Sequence, residues 1–552
     1  MVPMHHVARL TRRLWVFIAL LSFSVSGLAS DDSREEVRHR VEAMASGFAV
    51  DAGSRRLLAV KALRAFYQDR GFKLAWFADN RLTPEALELL QTIDNTGTEG
   101  LHPRDYHQQA LSQMMQALTL SAPAAAKADL DLLLSDAFLM LGSHLLAGKV
   151  DPRTLKAQWQ ADRHGLEMAP LLAQAVETGS VAALLNTFRP SQAEYQQLRQ
   201  ERQRILGLLD RRDWPLIDTG PLIRPGESDS RLPLIRARLV ALGDLAARQT
   251  ESPAASRPPT YETDLLAAVS RFQARHGLQA DGLIGSATIA ALNTPLQDRL
   301  AQIEVNMERW RWLPERLGDP HIRVNAADQR LDLVSNGQIL LSSPARLTTA
   351  CQNRPVFSDH IHYLVLNPEW SVGPDNPNFA LLSALRKRGQ LTQLPVELHK
   401  GWGMSLSKRD VTAEDWASEP ATGSRLVQPP GRENALGEVK FMSAMGSGPL
   451  LHGAPSAGVL STMTETTFGC IQVEAAAELV DGLLKQQQGW TRQKTHAGED
   501  EPPQSETHYM EQPVPLHVQY LTSWADSDGT IHFRSDSLNR DTAVATALKA
   551  EP

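Results

Sequence analysis

Cysteine is scarce in this chain, with two in 552 residues. That excludes a disulfide-stapled framework and a four-cysteine zinc site. A basic excess is also missing. The 56 Lys and Arg are outnumbered by 63 Asp and Glu, for a net charge of −7, which disfavours a nucleic-acid partner. Beyond the N-terminus no segment reads as apolar enough to cross a bilayer. What is present, 42% hydrophobic and 22% charged residues, is the mixture of folded soluble protein. The length suggests about three or four domains.

Residues 1–29 read as a secretory signal peptide. Arg9, Arg12 and Arg13 form a positive n-region with no acid near it. Leu14 to Val25 is apolar apart from Ser22 and Ser24, and Gly27-Leu28-Ala29 offers small residues for cleavage. An uncleaved membrane anchor is the alternative, since about 20 apolar residues can span a bilayer. Either way the body of the protein is expected to be exported, with membrane contact only through that segment. Export opens two readings of Cys351 and Cys470. They could be bonded to each other, closing a loop worth about 4–5 kcal/mol of unfolded-state constraint. Alternatively one is a nucleophile, which needs a base and an oxyanion site nearby.

The periodicities predict a multidomain α+β chain. Residues 30–220 are mostly helical: Leu57, Leu58, Val60, Leu63 and Phe66 share one face. Leu130, Leu132, Leu133, Leu134, Ala137, Phe138 and Leu141 mark a helix contacted on several sides. Asp94, Glu99, His102 and Asp105 read as solvated or capping loop residues. Residues 221–298 form a small three-helix module, with apolar faces at Ile235/Leu239/Leu242 and Leu265/Val269/Phe272 and a turn at Asp281-Gly282. Residues 299–320 are a helical junction. From 321 to 490 the period becomes that of strands, with Asn336-Gly337 as a hairpin turn. Residues 491–552 hold an exposed insertion, Thr491 to Gln512, and two short C-terminal strands.

The chemistry concentrates between His452-Gly453 and Phe468-Gly469-Cys470-Ile471-Gln472. Apolar residues at helical spacing follow, so Cys470 is predicted shortly before a helix N-terminus, where the dipole favours thiolate. Gly469 would let backbone N–H groups converge on an oxyanion. His452, flanked by glycine, is placed to take a proton from the thiol. His360-Ile361-His362 has no third ligand in sight, so no metal is expected.

These residues resemble the catalytic motif of the L,D-transpeptidases, in which a His-Gly element precedes a Ser/Thr-x-Gly-Cys-Ile/Val-Arg element. The resemblance to the large, YcbB-like branch spans most of the chain. Phe66-Tyr67 through Trp76, Leu101 through Tyr106 and Gly148-Lys149-Val150-Asp151-Pro152 resemble its helical scaffold domain. Pro225 to Asp229 and Phe272-Gln273 through Leu283 are similar to its peptidoglycan-binding module. Glu308-Arg309-Trp310-Arg311-Trp312-Leu313-Pro314 resembles its junction, and Asn434-Ala435-Leu436-Gly437 with Lys440-Phe441 its lead into a mainly-β, YkuD-like catalytic domain.

The resemblance implies Cys470 as nucleophile and His452 as base. Gly469, Thr467 and Gly453 would support the oxyanion, and Gln472, Phe468 and Trp370 would contact substrate. It implies a thioester from a tetrapeptide stem, release of D-alanine and 3→3 cross-links, without a cofactor. Partners would be stem peptides and glycan, with room for cell-wall synthesis proteins. The motif departs from the family at Gln472, where an arginine is usual, and at Phe468. A catalytically impaired peptidoglycan-binding or scaffold protein is therefore the competing expectation.

Overall fold

The structure, a computed structural model, describes residues 32–155, 167–210, 214–246, 259–348, 356–373, 396–401, 407–412, 424–444, 450–456, 469–485 and 504–551. The signal segment, Cys351, Thr467 and Phe468 lie outside the described residues.

Eight helices build the scaffold: α1 (Asp32–Ala45), α2 (Val60–Asp69), α3 (Pro84–Asp94), α4 (Gln108–Ala117), α5 (Ala124–Ala147), α6 (Met168–Thr178), α7 (Val181–Thr187) and α8 (Ala193–Leu209). Helix α5 is apolar on all sides because it is the domain's axis; Leu130, Leu132, Leu133, Leu134, Ala137, Phe138 and Leu141 are fully buried. By length and hydropathy α5 could cross a bilayer, contrary to the expectation that no later segment would. It is 83% buried over that window by its own domain, which accounts for its composition. Two of its carboxylates organise the neighbouring chain. Asp131 accepts hydrogen bonds from Ala75 N (2.9 Å), Trp76 N (2.8 Å) and Tyr67 OH (2.6 Å). Asp136 accepts from Leu58 N and Ala59 N at the start of α2 and contacts His107 Nε2 at 2.8 Å.

The loop acids differ from expectation. Glu99 and Asp105 are buried rather than solvated. Glu99 pairs with Arg199 (2.6 Å) and Arg189 (3.0 Å) and accepts from Tyr195 OH (2.8 Å). Asp105 pairs with Lys149 at 2.6 Å. Glu99's partners lie about a hundred residues downstream, so local spacing could not reveal them.

Helices α9 (Leu232–Leu242), α10 (Thr263–Arg275) and α11 (Ser286–Leu292) enclose the small module's core, with Ile235, Leu239, Leu265, Val269 and Phe272 buried together. Gln273 closes its turn: Oε1 accepts from Gly282 N (2.8 Å) and Nε2 donates to Leu283 O (2.8 Å).

Helix α12 (Leu296–Arg311) is the junction. Buried Glu308 accepts from Val150 N (2.7 Å) and pairs with Arg311 (2.7 Å), while Trp312 Nε1 donates to Val150 O (3.0 Å). Trp310 and Trp312 are buried and pack the junction.

The remaining domain is a closed eight-stranded barrel. Its strands are β1 (His321–Asn325), β2 (Arg330–Ser335), β3 (Gln338–Leu347), β4 (Phe357–Leu366), β9 (Val439–Met442), β10 (Leu451–His452), β11 (Ile471–Val473) and β12 (Glu506–Gln519), and closure leaves no free edge. Between β4 and β9 the chain forms a second sheet from β5 (Trp370–Val372), β6 (Glu397–Lys400), β7 (Ser407–Asp410) and β8 (Ser424–Gln428), in the order β7-β6-β8-β5. The barrel order is β9-β10-β11-β3-β2-β1-β12-β4. Asn336 and Gly337 both take positive φ, as the tight hairpin between β2 and β3 requires. The tail differs from expectation. The segment expected to be an exposed insertion becomes strand at Glu506, and β12 pairs with both β1 and β4. Without β12 the barrel would be open. A short hairpin, β13 (Ser523–Ala525) with β14 (Ile531–Phe533), and helices α13 (Ala476–Leu484) and α14 (Asp541–Lys549) complete the chain.

Candidate active site

The site is set by three neighbouring barrel strands. β10 and β11 are parallel, with Leu451 opposite Ile471 and His452 opposite Gln472. Leu451, Ile471 and Val473 are buried in the barrel core. Strand alternation therefore sends His452 and Gln472 to the other face, whereas Cys470, just before β11, is buried in the barrel-core cluster with Ile471 and Val473. The end of β3 holds the Gly469-Cys470 segment. Thr348 N donates to Cys470 O at 3.0 Å, and Thr348 Oγ1 donates to Gly469 O.

His452 is fully buried, and its Nδ1 lies 2.7 Å from Gly453 O. Since a carbonyl only accepts, Nδ1 carries the proton and Nε2 is left as the acceptor. Nε2 is buried with no hydrogen-bond partner among the described residues. Burial pushes the imidazole pKa down to about 4, against the opposing pull of the Gly453 carbonyl. The ring is thus neutral with an open lone pair, the state a general base needs.

The family-like lead-in has a structural reason. Asn434 is buried; Nδ2 donates to Pro368 O and Pro429 O (2.9 Å each) and Oδ1 accepts from Leu436 N (2.9 Å). Gly437, at φ +63°, presses on the His-Gly backbone. A Cβ there would come within 2.7 Å of Ala454 O and 2.8 Å of Gly453 C. Gly453 N in turn donates to Val439 O at 2.9 Å.

Two observations revise the expected chemistry. Cys470 does not stand at a helix N-terminus: β11 intervenes, and α13 begins only at Ala476. Dipole effects fall off within the first turn, so the helix does not account for a thiolate. Cys470 is disulfide-bonded, and there is no free cysteine among the described residues. The second cysteine of the sequence, Cys351, lies outside them.

Of the other expected site residues, Gln472 is half-buried beside His452, and Trp370 is buried in β5 opposite Gln428. Thr467 and Phe468 lie outside the described residues. His360 and His362 stand with ring centroids 6.4 Å apart. Thr348, which holds the backbone of Gly469 and Cys470, was missed from the sequence. Its signal is cross-strand register, which local spacing does not carry.

Three family models match the chain: "Scaffold domain" over residues 61–201, "Putative peptidoglycan binding domain" over 228–292 and "L,D-transpeptidase catalytic domain" over 319–488. They define a three-part protein with a helical scaffold, a glycan-polymer module and a catalytic barrel. Residues 319–488 thus match the L,D-transpeptidase catalytic-domain family. It is 24% identical over 235 residues to a curated Haemophilus influenzae protein described as "Putative L,D-transpeptidase", covering 42% of this chain and 46% of that one. The chain thus spans about half the length of that relative. It is also similar, at 14% identity, to the solved L,D-transpeptidase (residues 123–326) of Xylanimonas cellulosilytica, covering 55% of this chain and 98% of that one. The TM-score is 0.15, so that likeness carries no argument.

Proposed function

We propose that the reduced chain is a peptidoglycan L,D-transpeptidase. The observation that supports this most is the His452 ring, fixed at Nδ1 and open at Nε2, on the strand beside Cys470. In this reading Nε2 takes the thiol proton as Cys470 Sγ attacks the carbonyl of the third residue of a tetrapeptide stem. The peptide bond to the terminal D-alanine breaks, and the proton passes to the leaving amine. The side-chain amine of a second stem then attacks the thioester and restores the thiol, leaving a 3→3 cross-link. Because no helix dipole lowers the thiol pKa, proton transfer accompanies attack rather than preceding it. Backbone N–H groups around Gly469 stabilise the oxyanion, and Gly453 supports the base.

Residues 1–29 act as the export signal and place the domains in the periplasm. The boundaries at 220, 298, 320 and 490 separate scaffold, binding module, junction and catalytic domain, with the strand from Glu506 returning to the last. The partners are stem peptides and glycan, and the setting is cell-wall organisation and cell shape.

The disulfide at Cys470 favours a second reading for the oxidised chain, a peptidoglycan-binding protein without turnover. One experiment addresses both. Full-length protein is incubated with disaccharide tetrapeptide, with and without a dithiol. The dithiol supplies two electrons and two protons and is itself oxidised to a disulfide. Cross-linked dimer and free D-alanine should appear only after reduction, and Cys470→Ala should give neither. Product formation by Cys470→Ala would remove this thiol from the mechanism. No product from the reduced wild-type chain would leave only the binding role.

A further inference from the structure

The barrel wall opposite His452 carries a second polar site. Leu516 and Val518 of β12, Ile322 and Val324 of β1, and Leu331 and Leu333 of β2 belong to the barrel core. Alternation therefore turns Gln519, Asn325 and Arg330 outward, in register with one another. Trp310 of the junction helix α12 and the β13–β14 hairpin lie over them, leaving a cavity of about 60 Å³. One water needs only about 10–15 Å³. In the barrel ring β1 and β12 lie diametrically across from β10 and β11, so this cavity is separate from the candidate active site. Its lining also lies outside residues 228–292 of the binding module.

The polar groups of the cavity are of two kinds. The charged ones are already engaged. Arg323 pairs with Glu194 (2.8 Å) and Asp332 (3.5 Å), Asp328 with Arg534 (2.7 Å) and Asp526 with His532 (2.7 Å), while Arg330 Nε donates to Ser342 Oγ (2.6 Å). The neutral ones are not. Gln519 is 3% exposed, and neither Oε1 nor Nε2 has a partner among the described residues. Trp310 is 2% exposed, and its Nε1–H is likewise unpartnered there. Buried polar groups are as a rule hydrogen-bonded, so these two side chains are set to meet a group that enters the cavity. With the wall charges engaged, that group is neutral. It must accept from N–H donors and donate to Oε1, and a secondary amide does both. Leu521 and Ala525, buried and apolar in the same wall, offer a seat for a methyl group.

We infer that this cavity is a glycan contact outside the binding module, seating the acetamido group of an N-acetylated sugar on Gln519 and Trp310. The inference takes its partner, peptidoglycan, from the reading above. Peptidoglycan offers secondary amides from two sources, the stem backbone and the sugar acetamido groups. A stem held on β1 and β12 is across the barrel from Cys470, whereas the glycan carries an acetamido group on each sugar and extends past any one stem. The acetamido group also brings the methyl that Leu521 and Ala525 accommodate. Its oxygen accepts from Trp310 Nε1 and Gln519 Nε2, and its N–H donates to Gln519 Oε1. Ile339, 42% exposed at the same cavity, gives the sugar ring an apolar surface. The contact holds the barrel on glycan from the side away from the chemistry.

The test follows the Trp310 indole N–H by NMR in full-length protein, with the resonance assigned from Trp310→Phe. Three probes are titrated: N-acetylated chitobiose, cellobiose, in which a hydroxyl replaces each acetamido group, and free tetrapeptide. Chitobiose should shift the resonance saturably, and the other two should not. Gln519→Leu removes both unpartnered atoms at similar shape, so the chain should fold and bind chitobiose at this resonance at least about 10-fold more weakly. A comparable response to cellobiose or to the tetrapeptide would overturn the assignment. So would a chitobiose response unchanged in Gln519→Leu. No response to any probe means buried water only and overturns it as well. Turnover of disaccharide tetrapeptide by the reduced chain is read separately. Turnover without a Trp310 response sinks this site and keeps acyl transfer, and a Trp310 response without turnover does the reverse.

Discussion

Three buried carboxylates of the scaffold and the buried His452 imidazole of the catalytic barrel are satisfied in opposite ways. In the scaffold each buried hub carboxylate is surrounded by partners: Asp131 by two backbone N–H groups and a phenol, Asp136 by two N–H groups and His107, Glu99 by two arginines and a tyrosine. In the barrel His452 is equally buried, but one ring nitrogen has no partner among the described residues. An unmet hydrogen bond in an interior costs about 1–3 kcal/mol. These hub carboxylates are all paired, while among the described residues of the barrel His452 keeps an unpartnered buried nitrogen, as do His321 and Gln519. Full pairing fixes a shape, and an open acceptor is what the proposed role of His452 as base requires.

The sharpest way to break that comparison is to change each centre and read both activity and stability. His452→Gln should lower turnover of the reduced enzyme by about 10²–10⁴-fold. It should move unfolding free energy at pH 7 by less than about 1 kcal/mol, because no hydrogen bond at Nε2 is lost. Steady-state kinetics and urea unfolding measure the two. A large stability loss with activity retained would make His452 a structural residue after all. Asp131→Ala should do the reverse. It strands Ala75 N and Trp76 N in the core, while the Tyr67 hydroxyl keeps Ser135 Oγ (2.7 Å), and should cost about 2–4 kcal/mol, with turnover per folded molecule unchanged. If turnover falls in proportion to stability, the scaffold and the active site are more tightly coupled than their hydrogen bonding implies.

The same contrast explains what could be read from the sequence. Local patterns carried the elements that local chemistry dictates: the apolar run of α5, the Asn336-Gly337 hairpin, the three-helix module around Phe272. The His-Gly and Gly-Cys elements were visible because the reacting groups are close in sequence. Long-range pairings were not visible. Glu99 and Asp105 looked solvated because their cations come from α8 and from Lys149. The strand after Cys470 was hidden because β11 is only three residues long, too short for a two-residue alternation to stand out before the helical spacing that follows. Thr348 escaped notice because only register sets β3 beside β11. The return of β12 to close the barrel was obscured by the polar stretch that precedes it.

The smallest expected effect concerns pH, and here the two regions should diverge in sign. Burial holds His452 at about 4, below its ordinary value near 6.5. Its contribution to stability is complete above pH 6.5 and is lost as the pH falls through 4, because the unfolded chain takes up the proton first. Burial holds Asp131 at about 6, above its ordinary 3.8, with the Tyr67, Ala75 and Trp76 hydrogen bonds pulling the other way. Over much of the same window the folded scaffold takes up a proton before the unfolded chain does, so acidification favours it. At 1.36 kcal/mol per pKa unit, each site shifts stability by up to about 2–3 kcal/mol between pH 6.5 and 4. Thermal unfolding of His452→Gln and Asp131→Asn at pH 7 and pH 5 resolves the two. The histidine variant should lose less stability on acidification than wild type, and the aspartate variant should lose more. Changes of the same sign in both would mean that one of the two buried groups is not in the protonation state its surroundings impose.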